Sequence, residues 1–221
     1  MKLLIQAIVK FILGLTMVGI LVFLPAGTFE FWNGWLFIGL LFIPMFLLLI
    51  VLLIKDKELL KKRLNGKEKQ KAQKHVILMT LIIFICSFVV AGLDFKYSWS
   101  RLPMCVVILG SIILLISYAM YIEVMRENAY LSRVVEIQEN QKVIDTGLYS
   151  IVRHPMYMAT TLLYLSFPLV LGSLMAFFIF LPFPLVLVKR IKNEEEILEK
   201  GLEGYKEYKT RVKYKMIPFI W

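Results

Sequence analysis

The chain has 221 residues, 59% of them apolar, and a mean hydropathy of +0.74, which excludes an ordinary soluble globular domain. A formal net charge of +10 would suit nucleic acid, but the cations sit in the connections between apolar runs, a distribution that suits anionic lipid headgroups and speaks against a nucleic-acid partner. Cys86 and Cys105 lie inside apolar runs, and the two histidines, His75 and His154, are too few for a His-rich site, so neither a disulfide framework nor a metal centre is expected.

Several runs reach the roughly twenty residues that span a bilayer. The first predicted helix covers residues 3–24 and ends at Pro25-Ala26-Gly27. Lys2 before a long apolar run has the look of a signal peptide, but the run is long and Pro-Ala-Gly is a weak cleavage site, so a retained helix is expected. Further helices are predicted over 32–54, 76–93 and 103–122. The intervening 55–75 segment, which contains Lys55-Asp56-Lys57-Glu58-Leu59-Leu60-Lys61-Lys62-Arg63, reads as a helical extension lying on the headgroups, a topology signal rather than a ligand site. The last membrane element is a hairpin with arms 156–171 and 174–188 about Gly172-Ser173. At about 1.5 Å per residue each arm is short for a full crossing. The predicted fold is an all-α integral membrane protein with about five transmembrane segments, the last a helical hairpin. Residues 1–122 hold the first four helices, and 123–221 hold a polar segment, the hairpin and a C-terminal cap.

Lysine and arginine orient this plan. Segment 55–75 carries nine, 189–221 another nine and 123–156 four, whereas 25–31 has none and 94–102 only Lys96 and Arg101. All three basic segments fall on one side if the N-terminus is there too. Both termini and the cap are therefore expected in the cytoplasm, with a prokaryotic plasma membrane favoured.

Two polar motifs flank the hairpin. In the first, Val134-Val135-Glu136-Ile137-Gln138 and Gln141-Lys142-Val143-Ile144 read as short extended pieces before an Asp145-Thr146-Gly147 turn. Arg153-His154-Pro155 then opens a helix, whose first backbone N–H groups would suit a carboxylate. Tyr149 and Tyr157 add aromatic faces that attract a desolvated cation. In the second motif, Arg190 and Glu194 are four apart and share a face of a continuing helix. Alone they would be an exposed ion pair of about 0.3–0.5 kcal/mol. Beside the first motif, Glu194 reads as an acceptor for a ligand ammonium and Arg190 as a clamp for a carboxylate. Tyr205, Tyr208 and Arg211 have helical spacing and would roof the site.

The ordered residues Gly147, Tyr149, Arg153-His154-Pro155, Tyr157, Arg190, Glu194-Glu195, Tyr205, Tyr208, Arg211 and Pro218 resemble the isoprenylcysteine carboxyl methyltransferase family, and the phospholipid methyltransferases share part of the pattern. The resemblance covers about 134–221. It implies a membrane enzyme using S-adenosylmethionine, bound in a cytoplasmic pocket of the C-terminal half and leaving as S-adenosylhomocysteine. The family's cofactor contacts carry over onto Gln138, Gln141, Lys142, Val143, Ile144, Tyr149, His154, Pro155, Met156, Tyr157 and Glu194, and its substrate-side arginine onto Arg190. Arg190, Glu194 and Arg153 are then the expected catalytic residues, and Arg190, Tyr205, Tyr208 and Arg211 the substrate contacts. The expected partners are a lipid-like or prenylated substrate and the membrane lipids. Ala159 replaces the usual glycine, the Phe-Gly before Tyr205 is missing, and the Glu194–Tyr205 spacing is one residue short; these departures bear on the cap and the substrate fit.

Other readings predict other observations. A phospholipid amine N-methyltransferase would need one of the glutamates as a base. A transporter or channel would need ionisable groups at the centres of the first four helices, and few stand there. A scaffold would bind cofactor without product, and a sterol-reductase relative would bind nicotinamide instead.

Overall fold

The computed structural model describes residues 2–64, 71–132, 134 and 137–221, without the side chains of 71–73. The described residues form helices, turns and loops: α1 Lys2–Ala26, α2 Trp32–Lys55, α3 Lys57–Leu64, α4 Lys71–Tyr97, α5 Met104–Glu127, α6 Pro155–Val170, α7 Leu174–Phe180, α8 Phe183–Gly201 and α9 Tyr205–Arg211. Five spans among them are long and apolar enough to cross a membrane: α1, α2, Lys74–Tyr97, α5 and the joined Leu174–Gly201. Their outer faces present large apolar side chains such as Leu24 and Leu185, 76% and 73% exposed, as a lipid-facing surface requires. The chain is a multi-pass membrane protein.

Lipid tails are as apolar as the helices, so helices meet in a membrane through close packing. An aromatic cluster fills the centre, with Phe37, Phe88, Phe167 and Phe180 buried and ring centroids as close as 4.9 Å between Phe37 and Phe167. Glycines let backbones approach. A Cβ on Gly92 would stand 2.5 Å from the Val22 carbonyl of α1, and one on Gly110 would stand 2.7 Å from Leu169 Cβ of α6. At the end of the bundle away from the polar motifs, the buried Asp94 carboxylate accepts from the Ser100 N–H at 2.6 Å and from the hydroxyls of Ser100 and Ser173. These bonds tie the end of α4 to the turn of the hairpin.

The hairpin is present, with α6 as its first arm and Gly172, at φ +74°, in the turn. Its return arm differs from the expected 174–188. The helix breaks at Leu181-Pro182 and then runs on as α8 to Gly201, because the amphipathic sequence after Val188 keeps one face buried through Phe183, Leu187, Ile191 and Glu195. The return arm is thus long enough to cross, while α6, at 16 residues, is about 24 Å long. Within the 55–75 segment, α3 is the expected helix and also packs against the protein. In α3, Leu59 and Leu60 are buried, the Leu59 N–H is capped by Asp56 Oδ1 at 2.8 Å, and Lys62 Nζ donates to the Ala129 carbonyl at 3.1 Å. α4 begins five residues earlier than predicted, and 65–70 lie outside the described residues. The extended pieces near 137–144 form loop rather than strand, turning at Asn140 with φ +56°, while Val135 and Glu136 lie outside the described residues.

Gly110→Leu is expected to lower stability by about 1–3 kcal/mol through overpacking, seen as a lower unfolding midpoint in detergent. Gly19→Leu is the control: nothing lies within 4 Å of a Cβ there, and the midpoint should not move.

Candidate active site

The first motif is built on the end of α5. Asn128 Nδ2 donates to the Tyr149 hydroxyl at 2.7 Å, and Thr146 Oγ1 donates to Glu127 Oε2 at 2.7 Å. Gly147 stands at φ +51°, a conformation that favours glycine, and a Cβ there would lie 2.6 Å from the Glu127 carboxylate. A short 3-10 turn over Gly147–Ser150 then carries Tyr149 into the interior, where the Tyr208 hydroxyl donates to its carbonyl at 2.7 Å. Burial pushes the Tyr149 and Tyr208 phenols above their ordinary pKa, keeping both neutral.

Arg153 and His154 follow. Their backbone N–H groups donate to the carbonyls of Tyr214 and Lys215 at 2.9 and 2.8 Å. These two N–H groups, ahead of Pro155, are taken by the C-terminal segment. The side chains converge on Glu195, which is 4% exposed. Arg153 Nε donates to Glu195 Oε1 at 2.7 Å, His154 Nε2 lies 3.3 Å from the same oxygen, and Lys215 Nζ lies 2.9 Å from Oε2. Arg153 also donates to the carbonyls of Val212 and Lys213 at 2.6 and 2.9 Å. Glu195 sits nearly two turns beyond the apolar stretch that ends at Val188. Desolvation raises its pKa, but the bonds from His154, Arg153 and Lys215 outweigh burial and hold the carboxyl well below the usual range.

One turn of α8 away, Tyr157 stands between Arg190 and Glu194. Arg190 Nε donates to the Tyr157 hydroxyl at 2.8 Å, and that hydroxyl donates to Glu194 Oε2 at 2.5 Å. The expected i,i+4 pair is thus bridged by a phenol. The Arg190 guanidinium also lies over the Tyr157 ring, 5.8 Å from its centroid.

These groups line one cavity of about 550 Å³. At its cap end stand Gln141, Lys142, Val143, Ile144, Leu202, Tyr205 and Tyr208; at its apolar end stand Ile77, Thr80, Tyr121, Thr160, Tyr164, Phe183 and Leu187. Tyr149, Arg153, His154, Met156, Tyr157, Arg190 and Glu194 also line it. Tyr205 is 4% exposed, and among the described residues its hydroxyl is a buried side-chain polar atom without a partner. Burial and then the nearby Glu195 and Glu194 push its pKa far up, so it stays neutral and able to donate a hydrogen bond at neutral pH. Three predicted site residues stand apart. Arg211 is a surface side chain paired with Asp145 at 2.7 Å, Gln138 donates to the Tyr130 carbonyl, and Pro155 is buried as the first residue of α6.

The model of the phospholipid methyltransferase family matches residues 100–203. Over this stretch the chain is similar to the phospholipid methyltransferases. It is also 32% identical over 84 residues to the Delta(14)-sterol reductase TM7SF2 of Mus musculus, a match covering 37% of this chain and 20% of that protein. The chain spans about a fifth of that relative's length.

The phospholipid methyltransferase match contains Arg153, His154, Tyr157, Arg190, Glu194 and Glu195, whereas Tyr205, Tyr208 and Lys215 lie beyond it. Sequence reasoning named Glu195 in a motif but gave it no role, and it passed over Asn128, Tyr121, Tyr164 and Lys215. For Glu195 a signal was present. Phe183, Leu187 and Ile191 recur every four residues, and the next position on that face is 195. Nothing local in the sequence flags Lys215, whose partner lies twenty residues away.

Glu195→Ala is expected to cost about 3–5 kcal/mol, because it strands the buried Arg153 charge. The lowered carboxyl pKa adds a pH signature. Its stabilisation is fully present above about pH 4.5, the group's ordinary value, and is lost as pH falls below that. Unfolding midpoints measured against pH should drop on acidification in wild type and stay flatter in Glu195→Gln.

Proposed function

We propose that this protein is an integral-membrane S-adenosylmethionine-dependent methyltransferase that methylates a carboxylate oxygen of a lipid-like, isoprenylcysteine-type acceptor. The observation that carries this reading is the single cavity, polar at the cap and apolar between α4, α6 and α8, with Arg190, Tyr157 and Glu194 among its lining. The lysine and arginine distribution supports a cytoplasmic cap and termini.

The residues present fit the cofactor. Tyr205 offers a buried donor that lacks an acceptor, Glu194 offers a carboxylate for an ammonium, and Tyr149 and Tyr157 offer faces for a cation. When bound, S-adenosylmethionine supplies a methyl group activated by a sulfonium. The chain's own part is positional. Arg190, steadied by the Tyr157 hydroxyl, holds and orients the acceptor carboxylate. That carboxylate is ionised near pH 7, so no residue has to remove a proton. Phe183, Leu187, Ile77 and Tyr164 keep water from the acceptor's apolar part.

The phospholipid methyltransferase match favours amine N-methylation as the second reading. There a base is required, and Glu194 is the one carboxylate among the described lining residues. It already accepts a hydrogen bond from the Tyr157 hydroxyl at 2.5 Å, with Arg190 donating to the same hydroxyl. A reductase reading draws on the sterol reductase match.

Isothermal titration of the detergent-purified protein with S-adenosylhomocysteine is expected to show micromolar-range binding. Tyr205→Phe should weaken it about tenfold while leaving the ligand-free unfolding midpoint equal or higher, since it removes a buried unsatisfied hydroxyl. Labelled methyl transferred to lipid and released as methanol by mild base identifies an ester; base-stable label identifies N-methylation. No homocysteine-ligand binding alongside saturable nicotinamide binding would overturn the reading in favour of a reductase.

A further inference from the structure

The cavity has a wall that neither the family match nor the motif pattern reaches. α3 forms part of it, through Arg63. The Arg63 guanidinium lies over the Tyr121 ring, 5.2 Å from the centroid, and Tyr121 lines the cavity as well. On another wall Arg190 lies over Tyr157 in the same manner. One cavity therefore holds two guanidiniums, each seated on a tyrosine, one from α3 against α5 and one from α8 against α6. Planar guanidinium forks recognise carboxylates and phosphates, and aromatic seating fixes their direction.

The anchoring of α3 does not need Arg63. Leu59 and Leu60 are buried against Leu52 and Met125, Asp56 caps the helix start, Lys62 bonds the Ala129 carbonyl, and Lys10 Nζ donates to the Leu64 carbonyl at 2.5 Å.

We propose that Arg63 is a specificity-determining residue of the acceptor site, reading the anionic head of the lipid from the α3 wall while Arg190 holds it from α8. The inference rests on the methyltransferase reading and deepens it. It brings into the site a segment that sequence analysis treats as a topology signal, and it gives the acceptor head an oxyanion, carboxylate or phosphate, instead of an amine.

The test uses the full-length protein in phosphatidylcholine nanodiscs with S-adenosylhomocysteine present. N-palmitoylglycine and the neutral N-palmitoylethanolamine compete against a fluorescent acyl probe, for wild type, Arg63→Gln and Arg63→Lys; N-palmitoylglycine against palmitoyl phosphate compares the two oxyanions. Wild type is expected to prefer an anionic head at least tenfold. Arg63→Gln should reduce that preference about tenfold, with neutral-lipid binding and S-adenosylhomocysteine affinity unchanged, and Arg63→Lys should retain part of it. A wild type without the preference, or Arg63→Gln keeping it, overturns the proposal. Loss of S-adenosylhomocysteine affinity in Arg63→Gln with the lipid preference intact also overturns it, because Arg63 then serves the cofactor's carboxylate. Wild type that binds no S-adenosylhomocysteine removes the methyltransferase reading itself, a result read separately from the lipid competition.

Discussion

The site depends on one buried carboxylate. Glu195 gathers Arg153 and His154 from the start of α6 and Lys215 from the C-terminal segment, three cationic or ionisable groups around a residue of α8. An isolated buried carboxylate would be strongly disfavoured. With these partners it is instead the fastener that closes the cap, because each partner brings its own segment with it. The carbonyls of Val212, Lys213, Tyr214 and Lys215 all bond to Arg153 or His154, so the C-terminal segment is held by the same two residues on backbone and side chain. Tyr149, Tyr205 and Tyr208 keep their places in the cavity wall because the segments that carry them are fixed there.

The three consecutive glutamates of α8 illustrate how helical rotation divides labour. Successive residues point about 100° apart. Glu195 faces inward, where Phe183, Leu187 and Ile191 already define the buried stripe. Glu194 turns into the cavity and meets Tyr157. One carboxylate is enclosed by the structure and its neighbour lines the cavity, so substitutions at 194 and 195 act through different physics even though the sequence shows two identical residues side by side.

Much of the fold is legible because a membrane restricts the choices. Long apolar runs can only be helices there, which places α1, α2, α4 and α5 within a few residues and puts a glycine of positive φ at the turn of the hairpin. What escapes is set by contacts distant in sequence. The 55–75 segment reads as a charged helix without a partner, and its partner, the loop at 128–130, is more than sixty residues away. Arg153 and His154 read as the lead-in to a helix, and the carbonyls that accept their N–H groups come from 214 and 215. The motif residues themselves are legible as a set; their division into those that build the site, such as Arg153, and those that face the cavity's contents, such as Glu194, requires the geometry.

The two ends of the cavity differ in how they can yield. Tyr205 and Tyr208 line the cap end, and moving the C-terminal segment that follows them would break the Glu195 network and strand several charges at once. The apolar end is lined by α4, α6 and α8, whose contacts are dispersion alone at Ile77, Phe183 and Leu187, and there a lipid tail can replace a helix side chain at little cost. Rearrangement for a lipid is thus cheap and rearrangement of the cap is dear. The methyltransferase proposed above needs this arrangement, a rigid polar end beside a yielding apolar one, to position a lipid headgroup with fixed residues while the chain behind it stays in the bilayer.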